Sequence, residues 1–490
     1  MSRSIMIQGT MSNAGKSLIT AALCRIFRQD GYSCAPFKSQ NMALNSFVTR
    51  EGLEMGRAQV VQAEAAGSEP SVLMNPILLK PTSDSGSQVI INGKAVGNMT
   101  ASEYYRRKSE FVPIVENAYK KLSESVDIVV IEGAGSPVEL NLSENDIVNM
   151  GMARIADAPV VLVGDIDRGG IFAQLLGTLS LLEPSDRDRV KALVVNKFRG
   201  DGALFKSGTE ILEKRGGKRV AGVVPYLDCD IEDEDSLSEK LNKTQTGLID
   251  IAVIRLPRIS NFTDFDVFTQ FNGVSVRYVS SVEELKTPDL IILPGTKSTL
   301  SDMIFLRESG LESAIIKSNT PIFGICGGYQ LLGTHISDPE CSEGGGNIRA
   351  MGLLDATTIF SQNKQLRQVH GKFNAISGFF GCLSGAEFDG YEIHLGRTES
   401  NSQPLAILNG NEPDGAFCKD VCGTYVHGIF DSKDVCERLV KALYKRRGLE
   451  YSGEVIDRED YKQIQFDLLA EQVRESLDME LIYSIVNREV

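Results

Sequence analysis

The chain of 490 residues is too long for one hydrophobic core, and its length suggests about two to four domains. Its 42% hydrophobic and 24% charged residues are typical of a globular protein and exclude a long disordered chain. The formal charge of -14 argues against sequence-independent nucleic-acid binding, and it means that an anionic substrate would need a locally basic pocket.

The cysteines and the N-terminus indicate the compartment. Nine cysteines follow no framework spacing, and the closest pair, Cys418 and Cys422, lacks a second pair at a zinc-site distance. The N-terminus turns polar after a few residues, and no apolar stretch has the length of a membrane span. We therefore expect reduced thiols in a cytoplasmic protein that is neither secreted nor membrane-bound.

Short apolar runs alternate with helix-capable segments along the first half of the chain. The runs are SIMIQG, DIVVIEGAG, PVVLVGDID and VKALVVNKF. This alternation is typical of a parallel sheet wrapped by helices, so the sequence predicts an α/β fold.

A second series of apolar runs follows a polar stretch at residues 239–249. Its members are IDIAVIRLP, DLIILPGTKS and PIFGICGG, and from about Val435 the apolar spacing becomes helical. We predict domains at residues 1–245 and 250–438, with a helical extension at 439–490 that packs on the second domain.

The first strand leads directly into a glycine-containing loop and an apolar helix. Gly9 and Gly15 enclose five residues rather than the usual four, and Lys16 and Ser17 follow. In such a loop the backbone N–H groups and the helix N-terminus face a phosphate, the lysine neutralises it, and the serine can reach magnesium. The order of these features predicts a phosphate site rather than an ordinary turn.

Polar residues end three of the strands in this half. Glu132 and Asp165 lie where ligands of open α/β sheets bind, and Glu132 is the stronger candidate for magnesium, although either could be a solvated acid. Asn196 could pair with the edge of a purine base, or it could be an ordinary turn former.

The stretch from Gly324 to Gly328 places one cysteine among small residues directly after an apolar run. Such a pattern at a strand-to-helix turn can hold Cys326 as an exposed nucleophile, and a glycine-rich turn with a buried thiol is the alternative. Among four histidines, His427 in the β-like run CGTYVHGIF is the first candidate for its base. His394 is second as a base and first as a substrate-side residue.

An acyl intermediate on this cysteine would need an oxyanion hole. The N–H of Gly327 follows the nucleophile, and the loop LPGTKST offers Gly295 as a second donor. A strand-end loop, a cysteine elbow and a distant histidine together favour the nucleophile interpretation over the buried-thiol alternative.

These motifs resemble known families. GICGGYQ, PGTKST and VHGIF resemble class I glutamine amidotransferase domains, which have a flavodoxin-like fold, in the branch attached to cobalamin-pathway synthetases. The five-residue loop spacing and EGAG resemble the dethiobiotin-synthetase type of ATP-binding fold. With PFKSQNM, DIDRGG, NKFRGD, RLPRISNFTDFD and GYEIHLGRT, the combination is similar to the cobyric acid synthase family over nearly the whole length.

The resemblance implies an amide-forming ligase that uses glutamine, ATP and magnesium. Cys326 would attack glutamine, with His427 as base, and release ammonia. ATP would phosphorylate a substrate carboxylate, and ammonia would displace the phosphate. The implied substrate is a corrinoid polycarboxylate, adenosylcobyrinic acid a,c-diamide, amidated at its b, d, e and g side chains; the magnesium ligands would be Ser17, Glu132 and Asp165.

Within this resemblance, the stretch KSQNMALNSF is expected to contact substrate. Lys38 would supply local positive charge, and Gln40, Asn41 and Asn45 could bind a rim of amides and carboxylates, although a plain polar loop is the alternative. The sequence does not indicate an oligomeric state.

One departure from the class I pattern concerns the catalytic histidine. Many of these glutaminases carry an acid two residues after it, and here Ile429 stands in that place. His427 could be oriented by another acid or by a backbone carbonyl, or it could lack a strong orienting partner. We interpret the site as a Cys-His dyad.

Two alternatives remain at this point. One is another ATP-dependent amidotransferase of the same build, such as cobyrinic acid a,c-diamide synthase or a cell-wall precursor amidase pair. The other is a P-loop switch or partitioning ATPase fused to an inactive glutaminase-like scaffold, against which the intact cysteine and histidine argue.

Overall fold

The structure is a computed structural model that describes residues 2–82, 86–227, 229–232 and 246–490. Counting described residues only, it contains two compact units. Unit 1 comprises residues 2–42, 55–232 and 462–490, and unit 2 comprises residues 43–54 and 246–461. The predicted boundary at residue 245 lies outside the described residues.

Strands occur in both units. The first twelve in chain order are β1 (Arg3–Gly9), β2 (Cys34–Phe37), β3 (Gln40–Met42), β4 (Ser46–Val48), β5 (Glu54–Gly56), β6 (Ile77–Pro81), β7 (Gly86–Ile91), β8 (Lys94–Thr100), β9 (Ile128–Glu132), β10 (Val160–Asp165), β11 (Val190–Phe198) and β12 (Arg219–Pro225). The others are β13 (Ile249–Ile254), β14 (Val274–Val279), β15 (Leu290–Leu293), β16 (Ile322–Ile325), β17 (His335–Asp338), β18 (Gly346–Arg349), β19 (Ala356–Phe373), β20 (Glu387–Ser400), β21 (Ala406–Leu408), β22 (Glu412–Asp414), β23 (Ala416–Cys418), β24 (Val421–Thr424) and β25 (Val426–His427).

Helices connect many of these strands. The α-helices are α1 (Lys16–Gln29), α2 (Arg57–Ala66), α3 (Ala101–Arg107), α4 (Val112–Ser123), α5 (Met150–Ile155), α6 (Ile171–Leu181), α7 (Pro184–Arg189), α8 (Lys206–Gly216), α9 (Val282–Leu285), α10 (Thr299–Glu308), α11 (Leu311–Lys317), α12 (Gly327–Leu332), α13 (Lys433–Arg446), α14 (Arg458–Ser476) and α15 (Met479–Val486). Short 3₁₀ helices occur at Val72–Met74, Lys108–Phe111, Leu140–Asn145, Gly202–Phe205, Phe262–Gln270, Phe379–Leu383 and Ile429–Asp431.

The main sheet of unit 1 has six parallel strands in the order β12-β11-β10-β1-β9-β2. Four of them, β1, β9, β10 and β11, are the apolar runs of the first half of the sequence, and most of their residues are buried. Both faces of such a sheet are covered, which is why these strands are almost continuously apolar. Because β1 lies between β9 and β10, the ends of these three strands, which carry the predicted site residues, are neighbours.

The two C-terminal helices complete the core of unit 1. Phe466, Leu469 and Val473 of α14 and Ile482 and Ile485 of α15 are at most 2% exposed and pack with apolar residues of β1 and α1. The prediction that residues 439–490 pack on the second domain is therefore wrong for 462–490. An apolar helix stripe shows that a helix covers a core, but not which core it covers.

A second, smaller sheet of unit 1 was not predicted. Its order is β3-β6-β7-β8, with β3 parallel to β6 and antiparallel pairs between β6, β7 and β8. β4 and β5 form a separate two-stranded sheet. Residues 43–54, which include β4, belong to unit 2, so the predicted first domain is interrupted within its first sixty residues.

The main sheet of unit 2 has the order β14-β13-β15-β16-β24-β23. All its pairs are parallel except that of β23 with β24, and β13, β15 and β16 are the predicted second series of apolar runs. A second sheet, not predicted, has the order β18-β17-β19-β20-β25, with β21 beside β19 and β22 beside β21. Helix α13 packs on the core of unit 2 through residues such as Leu439, as expected.

Two expectations from the sequence concerned the cysteines, which should be reduced, and the helices, which should not span a membrane. All nine cysteines lie among the described residues, and each is a free thiol. Within the described part of the chain, no helix combines the length and the apolar character needed to span a membrane.

Candidate active site

The predicted phosphate loop of unit 1 joins β1 to α1. Gly15 precedes the first helical residue with φ +94°, a conformation that side chains rarely adopt. Lys16 Nζ donates to the carbonyls of Met11 (2.9 Å) and Gly135 (3.2 Å), so its ammonium closes the loop. A Cβ on Gly9 would lie 3.0 Å from this Nζ, which shows how closely Lys16 follows the loop backbone.

Glu132, at the end of β9, is a buried acid beside this loop. Its Oε1 accepts hydrogen bonds from Ser17 Oγ (2.8 Å) and Lys38 Nζ (3.0 Å), and its Oε2 accepts one from Gln62 Nε2 (2.6 Å). Burial would raise the pKa of Glu132, but the charge of Lys38 and these hydrogen bonds lower it below its usual value. The carboxylate is therefore ionised and lies next to the loop serine.

Lys16 has an unusual protonation equilibrium. Burial lowers its pKa from 10.5 to about 8, with Glu132 opposing the shift and the charges of Lys38 and Lys197 adding to it. Lys16 interacts electrostatically with Lys38 and Lys197, and together these lysines bring to this site positive charge that the acidic chain otherwise lacks.

Asp165, at the end of β10, and Asn196, which pairs with it two residues before the end of β11, have different partners. Asp165 Oδ2 pairs with Lys197 Nζ at 3.0 Å, and its Oδ1 accepts from the N–H of Asp167. Asn196 Nδ2 donates to the carbonyl of Ala14 in the phosphate loop, whereas its buried Oδ1 has no hydrogen-bond partner among the residues described. Glu132, rather than Asp165, thus contacts the serine of the loop.

The donor set fits magnesium only in combination with a nucleotide. Among described residues, no group of three His, Cys, Asp or Glu side chains could hold a metal ion. Magnesium keeps several waters and usually binds proteins through one or two carboxylates plus substrate phosphates. Ser17 and Glu132 match that requirement.

The predicted substrate loop is divided between the two units. Lys38 pairs with Glu132, Gln40 Oε1 accepts from Tyr104 OH (2.6 Å), and buried Asn41 donates to Gln59 Oε1 (3.0 Å). Asn45 belongs to unit 2, where it is buried and accepts from the N–H of Asn261. Asn45 therefore lies in a different unit from Lys38, Gln40 and Asn41, and the expectation that all four contact substrate stays a prediction.

In unit 2, Cys326 lies at the turn between β16 and α12. Its φ of 51° and ψ of -108° are rare for a side-chain-bearing residue, as the elbow pattern predicts. Gly327 and Gly328 allow α12 to lie against the end of β15: a Cβ on Gly328 would be 1.9 Å from the carbonyl oxygen of Leu293. The thiol lies 3.6 Å from the carbonyl oxygen of Ile393.

His427 is brought to this thiol by neighbouring strands. β16 pairs with β24, the N–H of Cys326 donates to the carbonyl of Thr424 (2.8 Å), and His427 follows three residues later. The imidazole is fully buried, and it lies close enough to Cys326 for the cysteine to contribute to its raised pKa. The distant histidine and the elbow cysteine therefore meet, as predicted.

Asp264 orients this histidine, so the interpretation as a Cys-His dyad is wrong. Asp264 Oδ2 lies 2.7 Å from His427 Nδ1, and its Oδ1 accepts from the N–H of Gly428 at 3.3 Å. The acid comes from the 3₁₀ helix after β13, far from the histidine in sequence. Of the three options left by Ile429, another acid is the one present.

The charge of this pair follows from its surroundings. Burial alone would lower the pKa of His427, but the charge and hydrogen bond of Asp264, together with Cys326, raise it from 6.5 to about 10. His427 is therefore an imidazolium at neutral pH, held between the Asp264 carboxylate and the sulfur of Cys326. A triad of this kind can generate a nucleophilic sulfur and supply a proton to a leaving group.

The residues of the predicted oxyanion hole lie beside the triad. A Cβ on Gly295 would come within 3.0 Å of His427 Cε1, and one on Gly327 would come within 2.7 Å of Thr296 Cγ2. Thr296 Oγ1 in turn hydrogen-bonds to the buried carboxyl of Asp302, whose pKa burial raises to about 7. The loop after β15 and the elbow thus pack directly against each other.

His394 occupies the wall next to the nucleophile. Its ring stacks on Tyr425 with centroids 3.7 Å apart, its Nδ1 donates to the carbonyl of Gly396 (2.7 Å), and its Nε2 lies 3.7 Å from Glu392 Oε1. Tyr425 OH also accepts from Gln330 Nε2 at 3.1 Å. His394 is thus a fixed polar residue on the strand that carries the carbonyl facing Cys326.

Comparison with known proteins identifies the family. Residues 5–238 match the model of the CobQ/CobB/MinD/ParA nucleotide binding domain, and residues 250–435 match that of the CobB/CobQ-like glutamine amidotransferase domain. A cobyric acid synthase of Ruminiclostridium cellulolyticum is 54% identical, over 99% of this chain and 97% of its own. The chain belongs to the cobyric acid synthase family.

Other members agree over the full length. A cobyric acid synthase of Lachnoclostridium phytofermentans is 54% identical over 100% of both chains, and one of Citrobacter koseri is 48% identical over 100% of this chain and 99% of its own. As a member of this family the chain is a glutamine-dependent amidating ligase, and its nucleotide binding domain implies the use of ATP. The predicted fold class and family are confirmed.

Several residues of the site were missed by reasoning from sequence. Asp264 lies in RLPRISNFTDFD, a stretch that carries only a family resemblance, and no local spacing connects it to His427. Gln62, which binds Glu132, and Lys197, which binds Asp165, carry no motif either. Lys197 directly follows Asn196, and this position was the one sequence signal that could have identified it as a residue of the site.

Proposed function

We propose that this chain amidates the b, d, e and g carboxylates of adenosylcobyrinic acid a,c-diamide, using ATP and glutamine, and so forms adenosylcobyric acid. The choice of substrate is supported by the name and full-length similarity of the relatives. The observation that carries the chemistry is the Cys326-His427-Asp264 arrangement on a strained elbow, because it provides a nucleophile, a proton carrier and an orienting acid.

The glutaminase step uses the triad of unit 2. Cys326 attacks the carboxamide carbon of glutamine as a thiolate, with the proton held on the imidazolium of His427, and the N–H groups of Gly295 and Gly327 stabilise the negative oxygen. The imidazolium of His427 gives its proton to the departing nitrogen, so that ammonia leaves and a glutamyl thioester remains. His427 then accepts a proton from water, which attacks the thioester and releases glutamate and the thiolate.

His394 and Glu392 are proposed as the substrate side of this pocket. Glu392 is buried, and its pKa is lowered from the usual value: burial opposes ionisation, but His394 and Arg367 outweigh it. A fixed carboxylate of this kind, with the imidazole beside it, is suited to the charged end of a free amino acid.

The synthetase step is assigned to unit 1. A substrate carboxylate oxygen attacks the γ-phosphorus of ATP, ADP leaves, and ammonia then displaces phosphate from the acyl phosphate to form the amide. Lys16 and the loop N–H groups would bind the phosphates, with Asn196 at the base. Ser17 and Glu132 would hold magnesium, which supplies charge neutralisation on the phosphates when bound.

Substrate contacts in unit 1 are proposed for Lys38, Gln40 and Asn41. Lys38 contributes a buried positive charge next to Glu132, which suits an anionic substrate. Water must be kept from an acyl phosphate, so the buried positions of Lys38 and Asn41 are consistent with the chemistry. We place the enzyme in the cytoplasm.

The direct test is mass spectrometry of adenosylcobyrinic acid a,c-diamide incubated with the protein, ATP, magnesium and glutamine. We expect four stepwise mass increases, each matched by one glutamate and one phosphate. Glutamate and phosphate release with an unchanged corrin would contradict the substrate. Cobyrinic acid offered in parallel tests the a,c-diamide synthase reaction.

Two variants test the division of labour. Cys326→Ala should abolish glutamine-dependent amidation and leave synthesis from free ammonia, because the nucleophile serves only the ammonia supply. Lys16→Ala should remove both routes. Ammonia-driven synthesis that survives in the Lys16 variant would disprove the phosphate assignment.

A further inference from the structure

Residues 43–54 are an unexpected part of the glutaminase unit. The residues on either side of this segment belong to unit 1, yet the segment itself belongs to unit 2. Five of its side chains are at most 1% exposed: Asn45, Ser46, Val48, Thr49 and Glu54. Much of the segment is therefore buried, and its assignment to unit 2 means that its contacts are mainly with residues of that unit.

The segment binds Asn261 through three hydrogen bonds. The backbone N–H of Asn261 donates to Asn45 Oδ1 (2.7 Å). The side chain of Asn261 makes the other two bonds: its Oδ1 accepts from the N–H of Ser46 (3.2 Å), and its Nδ2 donates to the carbonyl of Ser46 (3.0 Å). Asn261 has φ 52°, a left-handed conformation that asparagine tolerates better than most residues. Both its conformation and its position are thereby fixed.

Asn261 stands at the start of the 3₁₀ helix that carries Asp264. The N–H of Asp264 donates to the carbonyl of Asn261 at 3.1 Å, and the Asp264 carboxylate binds His427. A displacement of Asn261 would therefore move the acid that orients the catalytic imidazole. The path from Asn45 to His427 has only two residues between its ends.

A second path runs through Tyr391. Its OH donates to the carbonyl of Ser46 (3.2 Å) and accepts from Asn261 Nδ2 (2.9 Å). Its ring meets Phe47 edge-on at 5.2 Å and lies nearly parallel to the ring of His427 at 5.5 Å. The segment thus also fixes the ring that packs on the imidazole.

The later part of the segment is anchored separately. Gln368 Nε2 donates to the carbonyl of Val48, and Lys364 Nζ pairs with the buried carboxylate of Glu54. Val48 also packs with Ile393, whose carbonyl oxygen faces Cys326. The contacts of the segment converge on the groups around the nucleophile and its base.

We propose that segment 43–54 is a positioning element of the glutaminase, which sets the placement of Asp264 and Tyr391 against His427 through Asn45 and Ser46. This inference rests on the glutaminase activity proposed above. It assigns to residues encoded in the first half of the chain a role in the chemistry of the second half.

The test uses two variants of the full chain. Asn45→Ala removes the acceptor for the Asn261 N–H, and Tyr391→Phe removes the hydroxyl while keeping the ring on His427. Since a small misplacement of a catalytic group can cost up to about a hundredfold in rate, we expect kcat for glutamine hydrolysis to fall about tenfold to a hundredfold, with KM changed less than about threefold. Ammonia-driven amidation should stay near the wild-type rate.

Asn374→Ala is the matched control. Asn374 is half-buried in the same unit and donates from Nδ2 to the carbonyl of Pro404 (2.8 Å), so the substitution also deletes one side-chain-to-backbone hydrogen bond. It should leave kcat near the wild-type value. An equal loss in this control, or an unchanged kcat in folded Tyr391→Phe, overturns the proposal.

A readout independent of activity is NMR titration of labelled histidines, of which the chain has four. The signal of His427, identified by its absence in His427→Gln, should titrate near pH 10 in the wild type and at lower pH in Asn45→Ala or Tyr391→Phe, because Asp264 raises this pKa. An unchanged titration in both variants overturns the positioning role even if glutamine hydrolysis is absent. Loss of Cys326-dependent hydrolysis in the wild type would instead disprove the proposed function.

Discussion

At the scale of single residues, the unit 2 site depends on charges held away from water. His427 is fully buried, and burial by itself would favour a neutral ring. Asp264 reverses that preference, so the positive imidazolium and the carboxylate are mutually required. In unit 1, burial acts on Lys16 in the same direction, and there the neighbouring lysines reinforce it.

Asp264→Asn should therefore change both activity and stability. We expect glutamine hydrolysis to fall at least about a hundredfold, as when an orienting acid is lost from a catalytic triad. Breaking a buried pair costs about 3–5 kcal/mol. Because the folded pKa of His427 is raised, the contribution of its charge to stability is fully present below pH 6.5 and is lost as the pH rises through about 10.

Thermal melting of the wild type and the Asp264 variant at pH 6 and pH 10 measures this. The difference in melting temperature should be larger at pH 6. Asp434→Asn, which breaks an exposed pair with Arg438, is the control and should melt near the wild-type temperature at both values. An equal difference at the two pH values would contradict the charge assignment.

Lys16 should take up a proton when a nucleotide binds. With a pKa of about 8, roughly half of the side chains are neutral at pH 8, and phosphate oxygens favour the charged form. Calorimetry in buffers of different ionisation enthalpy should therefore show uptake of up to about half a proton per nucleotide at pH 8 and much less at pH 6.5. Absence of this pH dependence would argue that Lys16 is already fully charged.

At the scale of elements, the elbow depends on the close approach of α12 to β15. A Cβ on Gly328 would lie 1.9 Å from the carbonyl oxygen of Leu293 and 2.5 Å from its carbon, so the helix could not keep its position. The strain at Cys326, of about 1–3 kcal/mol, is maintained only by this surrounding packing. The nucleophile is therefore placed by the glycines after it as much as by its own backbone.

Gly328→Ala should lower the melting temperature and abolish glutamine hydrolysis. Gly177→Ala is a suitable control, because no heavy atom lies within 4 Å of the added Cβ and alanine is favoured over glycine inside α6 by about 1 kcal/mol. That control should be as stable as the wild type or more stable. A Gly328 variant with normal glutamine turnover would show that α12 can shift without moving Cys326.

The elements also show which parts of the molecule a sequence can reveal. Parallel strands such as β1, β9 and β10 were predicted because burial on both faces leaves a continuous apolar run. The antiparallel pair of β19 and β20 was not predicted, because its long strands mix exposed and buried residues and its register is interrupted. The role of Asp264 was not predicted for another reason. Its partner is distant in sequence, and a single acid belongs to no repeating pattern that would mark it.

At the scale of the whole molecule, unit 1 depends on the end of the chain. Apolar residues of α14 and α15, including Phe466 and Ile482, are buried with those of β1 and α1. Removing them would expose one face of the core at a cost of about 1.5–3 kcal/mol for each large side chain, which exceeds what most domains tolerate.

Deletion of residues 462–490 should accordingly abolish nucleotide binding and give insoluble or poorly folded protein, measured by calorimetry and solubility. Deletion of Glu489 and Val490 alone, both exposed, is the control and should bind nucleotide normally. Normal nucleotide binding by the longer deletion would show that the helices are dispensable for unit 1.

The division of the chain between the units limits how such an enzyme can be rearranged. The described chain changes unit at residues 42–43 and 54–55, between residues 232 and 246, and at 461–462, so no single cut separates two complete halves. A glutaminase excised from residue 246 onwards would lack Asn45 and Ser46. A hybrid could also be made by joining the N-terminal half of one homologue to the C-terminal half of another. Such a hybrid would combine a foreign segment 43–54 with the native Asn261 and Tyr391. We expect such hybrids to regain glutamine hydrolysis when residues 43–54 are taken from the same parent as residues 246–461. The origin of this short stretch, rather than the position of the central junction, would then determine whether a chimaera is functional.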